Sequence, residues 1–216
     1  MRSLVVACCG ILLIGCSGAP PRMDYLELYP VRVFNPSSQE VSWELAAYAQ
    51  VSDEDGFADL SEMYLIHDQQ YLYWVSSRDE WKYIDQNGEN WISIPRIKVN
   101  SSQDLPGLYR AVLIDDSGAQ VEREHAVPQL DNSDDLQPSI RYNDDTIEIQ
   151  GDHSIYRLSV YSAGGRHLAS STIEDPVIPF SNITGERGEL SVYVNTLVPR
   201  KGYLFRTGPF IISRQP

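Results

Sequence analysis

The chain has 216 residues, 42% of them hydrophobic, and a formal charge of −13 from 17 Lys and Arg against 30 Asp and Glu. That apolar fraction supports real cores, and the length left after an export signal suits one large domain or two small ones. The negative charge excludes nucleic acid as a partner and excludes electrostatic adhesion to anionic lipid, since both surfaces repel it.

At the N-terminus, Arg2 supplies a positive n-region, and Leu4 to Ile14 form a short apolar run that ends at the small residue Gly15. This is the anatomy of a signal peptide. At helical rise the run reaches about 16 Å, against roughly 30 Å of bilayer hydrocarbon, so a cleaved segment is expected over residues 1–15. Leu13-Ile14-Gly15-Cys16 resembles the lipobox of bacterial lipoproteins. The resemblance implies that Cys16 becomes the first mature residue and carries acyl chains, more than one because a single chain anchors only marginally. A site at Cys8 would leave almost no h-region. The chain has 3 cysteines; cleavage removes Cys8 and Cys9 and leaves Cys16 with no disulfide partner in a compartment that permits disulfides. Ser17 after the acylated cysteine, where Asp would mark retention, favours the outer membrane among diderm lipoproteins.

Residues 16–23 read as a lipidated tether. Ser17-Gly18-Ala19-Pro20-Pro21-Arg22 spans at most about 20 Å, which holds the first module near the bilayer. Thereafter the chain reads as all-β. Val41, Trp43, Leu45, Ala47, Ala49 and Val51 occupy every second position, with polar residues among those between them, the pattern of a half-buried strand. Turn clusters punctuate the remainder, among them Asn35-Pro36-Ser37-Ser38, Asp53-Glu54-Asp55-Gly56, Gln86-Asn87-Gly88 and Asp116-Ser117-Gly118. No helical stripe is evident.

The stretch 130–138 is acidic, polar and closed by Pro138, and it reads as a linker between two β-sandwich modules, 24–129 and 139–216. In the first module, Asp104-Leu105-Pro106-Gly107-Leu108-Tyr109-Arg110-Ala111 resembles the tyrosine corner of immunoglobulin-like folds. Ala111 stands where the second cysteine would be. The resemblance implies an F–G hairpin through Val112 to Val127. The second module has the size of a fibronectin type III domain, with strands expected at Thr146–Gln150, Tyr156–Tyr161, Arg166–Ser171, Leu190–Asn195 and Tyr203–Ile212. Fold analogy alone assigns no function.

Asp53-Glu54-Asp55-Gly56 begins like a calcium loop but lacks the later glutamate of an EF-hand. In a sandwich this loop shares an end with the F–G turn, so Asp53, Asp55, Asp115 and Asp116 are candidate calcium ligands, weighed against a solvated acidic turn. The aromatic residues between Tyr64 and Trp91 belong in strands and cores by propensity. Trp74 and Trp81 have polar neighbours and are expected to be exposed, as binding residues for a protein or a sugar ring. His67, His125, His153 and His167 show no metal-ligand spacing, and no nucleophile elbow or phosphate loop appears. The expectation is a non-catalytic envelope protein without cofactor, anchored by lipid and docking an envelope protein, with a glycan as the alternative partner.

Overall fold

A computed structural model describes residues 18–130, 138–143, 145–151, 155–198 and 203–214. Cys16 and most of the 130–138 stretch lie outside the described residues. The strands are β1 (Arg22–Asn35), β2 (Glu40–Ser52), β3 (Leu60–His67), β4 (Leu72–Ser77), β5 (Lys82–Gln86), β6 (Glu89–Val99), β7 (Gly107–Asp115) and β8 (Gln120–Val127). They continue with β9 (Ser139–Asn143), β10 (Thr146–Gln150), β11 (Tyr156–Ser162), β12 (His167–Ile173), β13 (Val177–Pro179), β14 (Gly188–Val198) and β15 (Tyr203–Arg214). Among the described residues only short 3-10 turns interrupt them, so the all-β expectation holds. Among the described residues no helix is long and apolar enough to cross a membrane.

The strands form three sheets: β12-β11-β14-β15-β1-β2-β6-β5, β4-β3-β7-β8 and β13-β10-β9. The alternation in β2 is what binds it to the interior. Leu45, Ala47, Ala49 and Val51 are buried, while Val41, at the strand's start, is exposed. Ala46 is also buried, beside a register shift between Leu45 and Ala47 in the pairing with β6. An extra residue there lets neighbouring positions both turn inward.

Two apolar clusters result. The first lies between the eight-stranded and four-stranded sheets and includes Leu26, Leu45, Leu65, Trp81, Ile92, Tyr109 and Leu113. The second lies between the eight-stranded and three-stranded sheets and includes Ile147, Leu158, Phe180, Val192 and Ile212. β15 serves both, because Tyr203 and Phe205 enter the first cluster and Ile212 enters the second. Its first half pairs in parallel with β1, Val31 opposite Leu204 and Phe34 opposite Thr207. The large sheet therefore runs across the sequence division expected at 130–138.

Side chains knit this seam. The Tyr203 ring meets Trp43 edge-on at 5.4 Å, Arg32 lies over Phe205, and the Arg206 guanidinium donates to Glu44 at 3.0 Å in a largely buried ion pair. On the other flank of β1, Arg123 donates to the Met23 carbonyl and His125 meets that of Leu26, so β8 closes the first core on that side.

The tyrosine corner forms as the sequence implies. Tyr109 is fully buried and its hydroxyl donates back to the carbonyls of Leu105 at 3.0 Å and Asp104 at 3.3 Å. Burial pushes its phenol well above the ordinary tyrosine range. Gly107 is required two residues earlier: its φ is +143°, and a Cβ there would stand 2.6 Å from the His67 ring. The glycine admits the buried imidazole that packs on Tyr109 at 4.5 Å.

Candidate functional site

Two surfaces gather functional side chains. The first is the acidic end of the first core. Asp53 Oδ1 accepts from the Asp55 amide at 2.8 Å, an Asx turn that starts the loop. Gly56 at φ +112° then reverses the chain into the 3-10 turn Phe57–Asp59. From the other side, β7 delivers Asp115, whose Oδ1 accepts from Ser117 Oγ and the Ala119 amide, both at 2.8 Å. The Asp116 amide donates to the Asp59 carbonyl at 2.7 Å and ties the two loops together.

One carboxylate oxygen from each of Asp53, Asp59 and Asp115 lies within 4.8 Å of the others. Asp115 is only 2% exposed. Its Oδ2, and Oδ2 of Asp53, are buried with no hydrogen-bond partner. The Asp59 carboxyl is raised above the usual carboxylate range by partial desolvation first, and then by the charges of Asp115, Asp53, Asp116 and Asp55.

The structure thus brings Asp53 and Asp115 together as the sandwich argument expects, and adds Asp59. The other two sequence candidates are turned to other work. Asp55 Oδ2 accepts from the Ala19 amide at 2.6 Å and holds the chain just before β1. Asp116 faces Arg78 at 3.6 Å, and Arg78 also donates to the Ala58 carbonyl. The signal for Asp59 was its place directly after Gly56-Phe57-Ala58, where a glycine-led reversal returns the chain toward Asp53.

The second surface is the outer face of the four-stranded sheet. On edge strand β4, Tyr73 is 69% exposed and Val75 points the same way, while Tyr71 just before the strand is 93% exposed. Cross-strand pairing sets Ile66 and Tyr64 of β3 beside Tyr73 and Val75, and Arg110 and Val112 of β7 beyond them. Arg110 is held between Asp68 and Glu122 at 3.3 and 3.4 Å and borders the apolar row with charge.

The expected exposure of Trp74 and Trp81 is corrected here. Trp81 is 6% exposed, inside the first core, with its indole N–H donating to Ser76 Oγ at 3.1 Å. The flanking charges mislead because Arg78–Glu80 form a 3-10 turn closed by a Ser77/Glu80 capping box. That turn points its charges out and rotates the next residue inward. Trp74 is half-buried against the first core, stacks on Tyr109 and donates to the Lys98 carbonyl at 3.1 Å. It walls an open cleft of about 360 Å³ between β4 and β6, with Glu80, Arg96 and Lys98 around it.

The described histidines each have a hydrogen-bond partner within the fold. His67 is buried against the Pro106 carbonyl, and the half-buried His125 meets that of Leu26. His167 meets Ser170 at 2.9 Å, but the Ser170 hydroxyl donates to Ser159. His153 lies outside the described residues.

No family model matches the chain, and no curated protein matches it. Among solved structures it is similar to the 47-kilodalton lipoprotein Tp47 of Treponema pallidum, at 14% identity and a TM-score of 0.42 over 88% of this chain and 50% of that one. It is also similar to dimeric latent PorU from Porphyromonas gingivalis, at 12% identity and a TM-score of 0.32 over 91% of this chain and 20% of that one. Murine CEACAM1b matches at 13% identity and a TM-score of 0.23, over 88% of this chain and 99% of that one. The chain spans half the length of the first and a fifth of the second. Likenesses of this size transfer no activity.

Proposed function

We propose that this chain is a bacterial envelope lipoprotein, acylated at Cys16, that works without catalysis by docking an envelope protein on the outer face of β4. The outward row of Tyr73 and Val75 on an edge strand, continued by Tyr64 and Ile66, supports this reading. An edge strand offers unpaired backbone donors and acceptors to an incoming strand, while alternate side chains supply specificity. Aromatic and aliphatic side chains ringed by charge make a docking surface of this kind. A glycan as the partner draws support from Tyr71 and Tyr73, whereas both indoles proposed to stack on sugars are engaged inward. The lipobox motif favours the outer membrane through Ser17.

A photo-crosslinking residue placed at Tyr73 in living cells should yield one discrete protein adduct. The same probe at Ile211, exposed on β15, should not, and Val75→Asp should abolish the adduct. Absence of a protein adduct, with retained binding to envelope polysaccharide that Tyr73→Ala removes, would replace protein by glycan. Loss of neither would overturn the surface altogether.

The anchor has its own test. Cys16→Ser should leave an unprocessed precursor without acyl chains, because the thiol is the acyl acceptor around which the processing signal is built. Detergent phase partitioning with mass analysis of the N-terminus reads the result. A normally cleaved, unmodified chain that begins elsewhere would sink the lipoprotein reading.

A further inference from the structure

We infer that Asp53, Asp59 and Asp115 form a calcium site that clamps the loop after β2 to the turn after β7, beside the point where the chain enters from its tether. Acidic residues at a loop end commonly stand in water with no ion, so the cluster alone is insufficient. The deciding observation is Asp115: it is almost fully buried, its Oδ1 is satisfied by Ser117 and Ala119, and its Oδ2 meets no donor. A buried carboxylate oxygen left without a protein donor is costly unless a cation or an ordered water completes it, and three carboxylates together favour the cation. Asp53 repeats the arrangement, with Oδ1 held by the Asp55 amide and Oδ2 buried and unmatched. Two loops that approach from opposite sheets each carry one such oxygen, on carboxylates that come within 4.8 Å of one another.

The donor set selects the ion. All three ligands are carboxylate oxygens with no imidazole or thiolate among them, which suits hard cations rather than zinc or copper. Opposite ligands of calcium stand about 4.6–5.2 Å apart, and those of magnesium only about 4.0–4.2 Å. Oxygens within 4.8 Å of one another on two loops are close enough for one ion to bridge. Magnesium also sheds water reluctantly and is rarely held by an all-protein cage. Water would complete the coordination from the open side, where Asp59 is half-exposed.

Position gives the site a structural role. Asp55, in the same loop, holds the Ala19 amide at 2.6 Å. Calcium at Asp53, Asp59 and Asp115 would therefore stiffen the loop that holds Ala19, just before β1.

Titration of calcium chloride into the full chain by calorimetry should give one saturable site with a Kd of about 0.1–1 mM, the class of extracellular modules. Thermal unfolding should move up with calcium and not with equal magnesium. Asp59→Asn should weaken calcium at least about tenfold, the loss of one anionic ligand, while Asp116→Asn, which removes a neighbouring charge but no ligand, should weaken it far less. Asp59 is chosen because Asp115 also holds its turn through Ala119, so a variant there could unfold. No saturable binding up to about 10 mM, tenfold above the weak end of that class, would overturn the site. Binding unaltered by both Asp59→Asn and Asp53→Asn would overturn it equally.

Discussion

Trp81→Ala should destabilise the chain by about 3–5 kcal/mol, the range for truncating a large aromatic in a packed core, and leave the docking surface unchanged in any folded fraction. The indole sits in the first cluster with its N–H on Ser76 Oγ, and Ser76 in turn donates to Glu80 at 2.9 Å. Truncation opens a cavity and removes a donor from a serine only 6% exposed. Trp81→Phe, which keeps most of the volume, should cost about 1–2 kcal/mol, close to one buried hydrogen bond plus a small void. Trp74→Ala should fall below Trp81→Ala, because one side of that indole faces the cleft. Urea unfolding of the three variants decides the order. If Trp81→Ala unfolds like the parent protein, the side chain is on the surface and the core assigned to it is wrong.

That tryptophan shows where the sequence is legible and where it is not. Arg78, Asp79, Glu80 and Lys82 surround Trp81 in the chain, and neighbours along a strand share its backbone but not its face. A short 3-10 turn with a capping box shifts the phase of alternation; Ser77 and Glu80 stand at capping-box spacing in the sequence, but that spacing does not say which way the next residue turns. Where the strand runs without interruption, as from Ala47 to Val51, period two identifies the buried face directly. The second half behaves similarly: expected strands at Thr146–Gln150 and Tyr156–Tyr161 appear as β10 and β11 with ends within a residue.

The acidic end was partly readable for a topological reason. In a sandwich, the loop after the second strand and a later hairpin turn share an end, which suffices to pair Asp53 with Asp115. It does not say which carboxylates turn inward. Asp55 and Asp116 are equally acidic and equally close in sequence, yet one bonds Ala19 and the other faces Arg78. Asp59 enters only because Gly56 at φ +112° reverses the chain, and side-chain direction after such a reversal is a tertiary property.

The pairing of β1 with β15 was the least legible feature, and it carries the second large effect. Ending the chain at residue 130 should leave the first half without a stable fold. The cut removes Tyr203 and Phe205, both essentially unexposed members of the first core, each worth about 1.5–3 kcal/mol of burial. It strips the parallel partner from Val31 to Phe34 of β1, leaving an apolar edge open to aggregation. It also leaves the Glu44 carboxylate, 15% exposed, without Arg206, and an unpaired buried charge is costly. Together these losses approach the 5–15 kcal/mol that is the whole net stability of an ordinary domain. In the full chain, Phe205→Ala should lower the stability of both halves in a single transition, because β15 contributes Phe205 to one core and Ile212 to the other. Circular dichroism and amide spectra of residues 18–130 give the direct answer. A dispersed spectrum with cooperative unfolding, or two separate transitions in the full chain of which only one responds to Phe205→Ala, would show that the seam joins two independently stable units across 130–138.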